Sequence, residues 1–449
     1  MVNELEKTSL SDLSIDISYG YTESASPNNI GPRFLRITDI QNGIVDWKNV
    51  PYCRISIDNH EKYKLDFGDI VVARTGNSTG ENYLFQEKVD AVFASYLIRF
   101  RIDKTKADAR YVWYSLRSPE WWSFVDNSKT GSAQAGANAK VLGRFLITLP
   151  ALPEQRVIAH ILGTLDDRIE LNRRMNETLE LMARTLFKAW FVDFEPVRAK
   201  LEGRWRRGQS FPGLPAHLYD IFPDRLVESE SGEIPEGWEI SAMRSLSEVI
   251  SKGTTPNKKD LASVTDEPVI PFIKVRDISQ SDGILRKNLE LIAKSIHETS
   301  LKRSILKTDD LLFSIAGTIG RTAYIDSDLN GANANQAIAF IRLKDSRNYF
   351  SLCWLNLRSD KTQNFINTKI VQGVQANASL ESIGNIPVTI PDQAALMQWN
   401  EVIAPIISQY RTCQQENRIL TQLRDTLLPR LVSGDLRVPD VECIAGMTR

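Results

Sequence analysis

The chain repeats itself, so any fold it adopts must accommodate two copies of one unit. Leu116, Arg117 and Ser118 recur as Leu357, Arg358 and Ser359; LGRFLITLP at 142–150 recurs as IGNIPVTIP at 383–391; Asn176, Leu179 and Leu186 recur as Asn417, Leu420 and Leu427. The offsets 357 − 116, 391 − 150 and 420 − 179 all equal 241. A constant shift across separated blocks marks an internal duplication. Two further echoes keep the same order: FLRITDI at 34–40 with FIKVRDI at 272–278, and DIVVARTG at 69–76 with DLLFSIAG at 310–317. The second pair reads as an acid, an apolar strand and a glycine turn. The order is domain, helix, domain, helix.

The first helix, Pro153 to Phe191, sets Ile158, Leu165, Asn172, Leu179 and Leu186 seven residues apart, with Ile161, Ile169, Met175 and Met182 filling the neighbouring turns. That spacing is a coiled-coil seam. Asn172 lies at its middle, where one buried amide weakens the pairing but penalises wrong registers. The second helix, from about Pro391 to Arg430, has a seam of Trp399, Ile406, Cys413, Leu420 and Leu427. Cys413 stands where Asn172 stood, so the polar device is expected not to be duplicated. Pro405 predicts a kink or a restart, and Pro429 with Gly434 a closed end.

Within the first copy, FLRITDI, DIVVAR at 69–74, AVFASYLIRFRI at 91–102 and RFLITL at 144–149 read as strands, and DARYVWYSLRSPEWWSF at 108–124 as a helix broken at Pro119. The fold class expected is α+β: two similar mixed α/β domains separated by two long helices that form an antiparallel coiled coil, a pseudo-twofold internal repeat. Its parts are a first domain at 1–151, a long helix at 152–196, a linker at 197–234, a second domain at 235–391, a second long helix at 392–435 and a tail at 436–449. The linker, rich in proline, glycine and serine, is expected to be extended. It carries a basic knot of Arg198, Lys200, Arg204, Arg206 and Arg207, read as solvated charge with a backbone-phosphate contact as the alternative.

A net charge of −1 excludes binding of nucleic acid by bulk charge, so any polyanion-binding surface must be local. The four cysteines, Cys53, Cys353, Cys413 and Cys443, have neither zinc nor redox spacing, which points to a reduced, cytoplasmic setting. Met1–Leu10 is too charged for a signal peptide, and no run approaches the ~20 apolar residues that cross a bilayer. Catalytic chemistry is also missing. No Asn-Pro-Pro-Tyr tetrapeptide holds a flipped adenine, no glycine-rich strand-to-helix turn serves a methyl donor, and no phosphate-cradling loop is present. His60, His160, His217 and His297 are isolated, so neither a metal nor a cofactor is expected.

Twin reading units held at a fixed separation suit duplex DNA, whose grooves return to the same face every ~34 to 36 Å. Candidate contacts lie in two matched loops, rich in the side chains and glycine amides that meet bases and phosphates. In the first copy they are Arg74, Thr75, Asn77 and Ser78, with Lys129, Gln134, Asn138 and Lys140. In the second they are Thr318 and Arg321, with Lys369, Gln372, Gln375 and Asn377. A duplicated protein-binding scaffold is the competing expectation, and a single-chain enzyme would need catalytic motifs the chain lacks.

LPEQRVIAHILGTLDDRIELNRRMNETLELMARTLFKAWFVDFEPV, then LPAHLYDIFPDRLVESESGEIPEGWE, then ENRILTQLRDTLLPRLVSGDLRV together resemble the specificity subunit of type I restriction-modification enzymes over essentially the whole chain. The most specific pieces are Pro153–Arg156 (PEQR), Trp190–Asp193 (WFVD), Pro235–Trp238 (PEGW), and Leu427–Leu431 with Gly434. The resemblance implies two target recognition domains, each reading half of a bipartite double-stranded DNA site. It also implies helices that separate them and dock two modification (methyltransferase) subunits, restriction subunits in the full complex, and methyl transfer and cleavage on those other subunits. The unequal seams are the departure from that symmetry.

Overall fold

A computed structural model describes residues 6–41, 43–128, 136–229, 232–262, 264–279, 283–369 and 377–438. The chain is mixed α and β and divides within its long helices into two compact units. One holds the residues up to Leu171 and those from Glu416 onward, the other Asn172–Gln415.

The first unit contains β1 (Glu6–Ser9), β2 (Ser14–Tyr19), β3 (Asp69–Ala73), β4 (Asn82–Leu84), β5 (Leu97–Ile102), α1 (Ala109–Ser115), α2 (Pro119–Ser128), β6 (Leu146–Leu149) and the start of α3 (Leu152–Phe191). An antiparallel sheet runs in the order β2-β5-β3-β4, and β1 pairs with β6. All five residues of β3 are buried because both faces of the sheet are covered. Ile70 and Val72 join the core under α1 and α2, while Val71 and Ala73 join a second core on the other face. A strand's alternation thereby feeds two cores, and its sequence is apolar from Ile70 to Ala73 after the acid Asp69.

The second unit repeats this plan with β7 (Glu239–Ala242), β8 (Ser247–Lys252), β9 (Leu311–Ser314), β10 (Thr322–Tyr324), β11 (Ile338–Leu343), α4 (Ser346–Leu357), α5 (Asp360–Lys369), β12 (Pro387–Ile390) and the start of α6 (Gln393–Ser433). Its sheet runs β8-β11-β9-β10, and β7 pairs with β12. The register is duplicated as well. Ile70 faces Phe100 in one sheet and Leu311 faces Ile341 in the other, and 311 − 70 and 341 − 100 both give 241. A buried ion pair recurs at the same offset: Asp69 accepts from Arg101 Nε at 2.8 Å, and Asp310 from Arg342 Nε at 2.8 Å.

The repeated Leu-Arg-Ser triplet has a three-part role. Leu116 and Leu357 are core residues. Arg117 reaches Asp166 of α3 at 3.6 Å, and Arg358 pairs with Glu180 of the same helix, so each sheet-and-helix body is clamped to α3. Ser118 Oγ accepts from Trp121 N at 3.3 Å and Ser359 Oγ from Thr362 N at 3.2 Å, starting α2 and α5 after the break.

The two long helices pair antiparallel within each unit. In the first, the beginning of α3 meets the end of α6, with Asp166 accepting from Arg424 Nη1 at 2.8 Å, Arg168 on Glu416 at 2.8 Å, and Ile169 O accepting from Asn417 Nδ2 at 3.2 Å. In the second, the end of α3 meets the beginning of α6 through Trp399, whose ring centroid lies 4.9 Å from Phe191 and 5.6 Å from Trp190. Ile158, Asn172 and Cys413 are buried, and Leu165, Leu179, Leu186, Ile406, Leu420 and Leu427 half-buried.

The neighbouring row needs correction. Leu162, Asn176 and Ala183 are buried, whereas Met175 and Met182 are 37% and 48% exposed. The buried face is widened toward that side by Arg110 of α1, on Gly163 O and Asp167, and by Arg358 on Glu180. A seam amide is duplicated after all, one turn on from Asn172, as Asn176 and its counterpart Asn417.

Two terminators and the linker also differ from expectation. α6 runs unbroken through Pro405, which sits at an exposed position where water can satisfy the carbonyl freed by its missing N–H. Pro429 lies inside the helix, and the end comes at Gly434 with φ 84°. Far from being extended, the stretch read as a linker holds a helix at Glu195–Leu201 and a hairpin of Leu226–Ser229 with Gly232–Pro235. Its Trp205, Leu218 and Phe222 share a core with Trp190, Phe191 and Trp238. Aromatic burial outweighs the turn-forming composition there. The basic knot is largely paired: Arg198 with Glu233, Lys200 with Asp224, Arg204 with Glu195 and Glu202, and Arg207 with Asp220, leaving Arg206 exposed.

Candidate nucleic-acid interface

In both units the central strand ends in a glycine-containing turn, and that turn is stitched to the small-residue segment far downstream. Thr75 bridges Gly136 and Ala316 bridges Asn377. Ala137 N donates to Arg74 O at 3.0 Å and Ala378 N to Ile315 O at 2.9 Å. The differences 316 − 75 and 377 − 136 are both 241. The turn and the described end of the downstream segment are therefore neighbours in each copy, which their separation in sequence gave no means of seeing.

On the first unit's surface Asn77, Asn138 and Lys140 are exposed and Arg74, Thr75 and Ser78 half-buried. Asn138 spends its Oδ1 capping a short helix, accepting from Val141 N at 2.9 Å. Arg74 is fixed: its Nε donates to Ser95 O at 3.1 Å and its guanidinium lies 4.9 Å from the Tyr19 ring centroid. On the second unit Thr318, Lys369 and Asn377 are exposed. Arg321 is turned inward, its Nη1 donating to Val275 O at 3.2 Å and Ile278 O at 3.0 Å, so its work is structural. Lys129, Gln134, Gln372 and Gln375 lie outside the described residues.

Sequence reasoning missed the strand ends beside these loops. Tyr19 and Tyr96 are 42% and 56% exposed, and the Tyr19 hydroxyl accepts from Ala139 N at 3.1 Å. Lys252 occupies the place of Tyr19 in the second sheet, since Tyr19 faces Ile98, Lys252 faces Ala339, and 339 − 98 is again 241. Gln336, exposed there, accepts from the Thr255 hydroxyl. The signal was present as ISYG at 17–20 and ISKG at 250–253. Its glycine is required because a Cβ on Gly20 or Gly253 would meet the Ala94 or Ala334 carbonyl oxygen at 2.3 or 2.1 Å.

The family model described as the type I restriction modification DNA specificity domain matches residues 23–181 and again 235–425. The chain belongs to the type I restriction-modification specificity-subunit family. Its two matched regions correspond to the duplication, and in such systems this subunit is the non-catalytic, DNA-recognising component. Among relatives, the specificity subunit of the HindI type I restriction enzyme from Haemophilus influenzae is 25% identical over 97% of this chain and its own full length. That of MjaIX from Methanocaldococcus jannaschii is 25% identical over 76% of this chain and 72% of its own. The crystal structure of the type I S subunit from M. genitalium superposes with a TM-score of 0.54 at 14% identity, covering 96% of this chain and 97% of that one, which supports the fold.

Proposed function

We propose that this specificity subunit reads a bipartite, asymmetric duplex site, one unit per half-site, with residues 1–151 and 235–391 as the reading domains. One observation carries this: both units build the same bridged loop surface and place different side chains on it. Tyr19, Arg74 and Ser95 in the first correspond to Lys252, Ile315 and Gln336 in the second. A common frame with unlike donors and rings is what reading two unequal half-sites requires. Exposed Asn77, Lys140, Thr318, Lys369 and Asn377, with Thr75 and Ser78, are the further contacts of this reading. Asn138 contributes less, because its Oδ1 is already engaged.

The long helices set the spacing and dock two modification subunits, with restriction subunits joining the full complex. Apolar side chains left in solvent on them support docking: Met175, Leu181 and Met182 on one unit, Leu171, Ile419 and Leu423 on the other. A cytoplasmic setting accords with Cys53, Cys353 and Cys413, which are buried, unpaired thiols. Among the described residues no helix is long and apolar enough to cross a membrane.

The test is a deletion of one heptad from each long helix at equivalent positions, which keeps the seam in phase. Seven residues at ~1.5 Å each remove ~10 Å, about 3 bp of duplex. The site methylated by the assembled complex should keep both half-sites with a shortened spacer. An unchanged spacer overturns the ruler, and binding without any site preference favours the scaffold reading.

A further inference from the structure

We propose that Arg74 reads a guanine in the half-site bound by the first unit, an inference that rests on that unit being a DNA reader. Its guanidinium is held on two sides. Nε donates to Ser95 O at 3.1 Å, and the plane lies against the Tyr19 ring. That ring is itself tied down through its hydroxyl, which accepts from Ala139 N in the segment stitched to Arg74's own carbonyl. Among the described residues neither Nη1 nor Nη2 has a hydrogen-bond partner. An arginine with Nε occupied and its outer edge open presents two parallel donors, which match O6 and N7 on the major-groove edge of guanine. Anchoring and stacking remove rotamer freedom before DNA arrives, so less entropy is lost on contact.

A phosphate also accepts two parallel donors. The duplication favours a base instead. The corresponding residue of the second unit is Ile315, buried and without a charge. A group that positions the sugar-phosphate backbone serves both readers alike, whereas a group that reads one base belongs to one half-site only.

The experiment uses the full chain assembled with its modification subunits and defines the methylated site first. Arg74→Lys and Arg74→Gln are then compared on that duplex, on duplexes changed at each guanine of the first half-site, and on one carrying 7-deazaguanine, which lacks N7. Both variants should lose roughly 5- to 150-fold of the preference for one guanine, the range a bidentate arginine–guanine contact supplies, and the 7-deaza duplex should no longer be penalised. The second half-site should be read as before, which also shows that the variants fold. Arg74→Lys retaining full discrimination, or Arg74→Gln weakening all duplexes equally with a salt slope smaller by about one, makes Arg74 a phosphate contact and overturns the assignment. No change in either quantity overturns it as well. A wild-type complex with no defined first half-site overturns the underlying reading, a result distinct from any variant's.

Discussion

Asp310 offers the sharpest test of how the sheets are held. It is 1% exposed and accepts three hydrogen bonds: from Arg342 Nε at 2.8 Å, Arg342 Nη2 at 2.6 Å and Lys307 N at 2.7 Å. Asp310→Ala leaves a largely buried guanidinium without its counter-ion and a backbone N–H without its acceptor. Removing one partner of a buried pair costs about 3–5 kcal/mol. The lower end applies, because Arg342 keeps a 3.1 Å contact from Nη2 to Ile305 O and its side chain remains 17% exposed. At ~2–4 °C per kcal/mol for a body of this size, the second unit's melting temperature should fall by about 6–12 °C. Asp310→Ala combined with Arg342→Met leaves no uncompensated charge and should recover most of the loss, to within ~1 kcal/mol. Calorimetry is the assay, since it can resolve two transitions if the units melt apart. A single-variant shift below ~2 °C, or a double variant no better than the single one, refutes the reasoning.

Two further outcomes can be checked. Asn172→Leu removes a buried amide whose Nδ2 has no partner among the described residues and should raise the unfolding free energy by ~1 kcal/mol or more, read as a higher melting temperature, with light scattering showing more self-association; a loss of stability would contradict the placement of Asn172 in the seam. Burial pushes the Cys353 thiol up to about 12 and, with Glu23 nearby, the Cys53 thiol up to about 11. In a Cys443→Ser variant, these two should stay unreactive toward a disulfide reagent at pH 8 until the chain unfolds. A neutral thiol of raised pKa favours the folded state fully below the unfolded value, and that advantage falls away as pH rises from 9.0 toward about 12. Cys353→Ala should therefore flatten the alkaline decline in stability, and an unaltered slope would show that this thiol takes no part.

Much of the fold was legible because the repeat and the seam are statements about spacing. What spacing alone cannot give is which side of a helix other elements cover. Met175 and Met182 have the apolar character of a core row, yet Arg110 and Arg358 draw the buried face toward Leu162, Asn176 and Ala183. Composition misled at 197–234, where proline and glycine signalled an open linker while Trp205 and Phe222 had a partner core out of view. At the candidate interface, residue chemistry singled out segments that the fold brings together, but Arg321 and Arg74 could not be told apart. One is consumed by the carbonyls of Val275 and Ile278, and the other is braced with its outer edge open among the described residues.

The two copies agree where they hold the frame and differ where they face outward. Asp69 and Asp310, Arg101 and Arg342, Leu116 and Leu357, and Arg117 and Arg358 keep residue type and role at one offset. Tyr19 and Lys252, Arg74 and Ile315, and Ser95 and Gln336 keep position and exchange chemistry. The bridge beside those positions is backbone to backbone, so it does not depend on which side chains they carry. Placing residues 315–319 in the positions of 74–78 should accordingly preserve folding, with a loss of stability of no more than ~1–2 kcal/mol for a turn that is partly buried, and alter only the first half-site in the methylated sequence. A chimera that folds and still methylates the original site would show that these turns present nothing to DNA, and that recognition lies elsewhere on the unit.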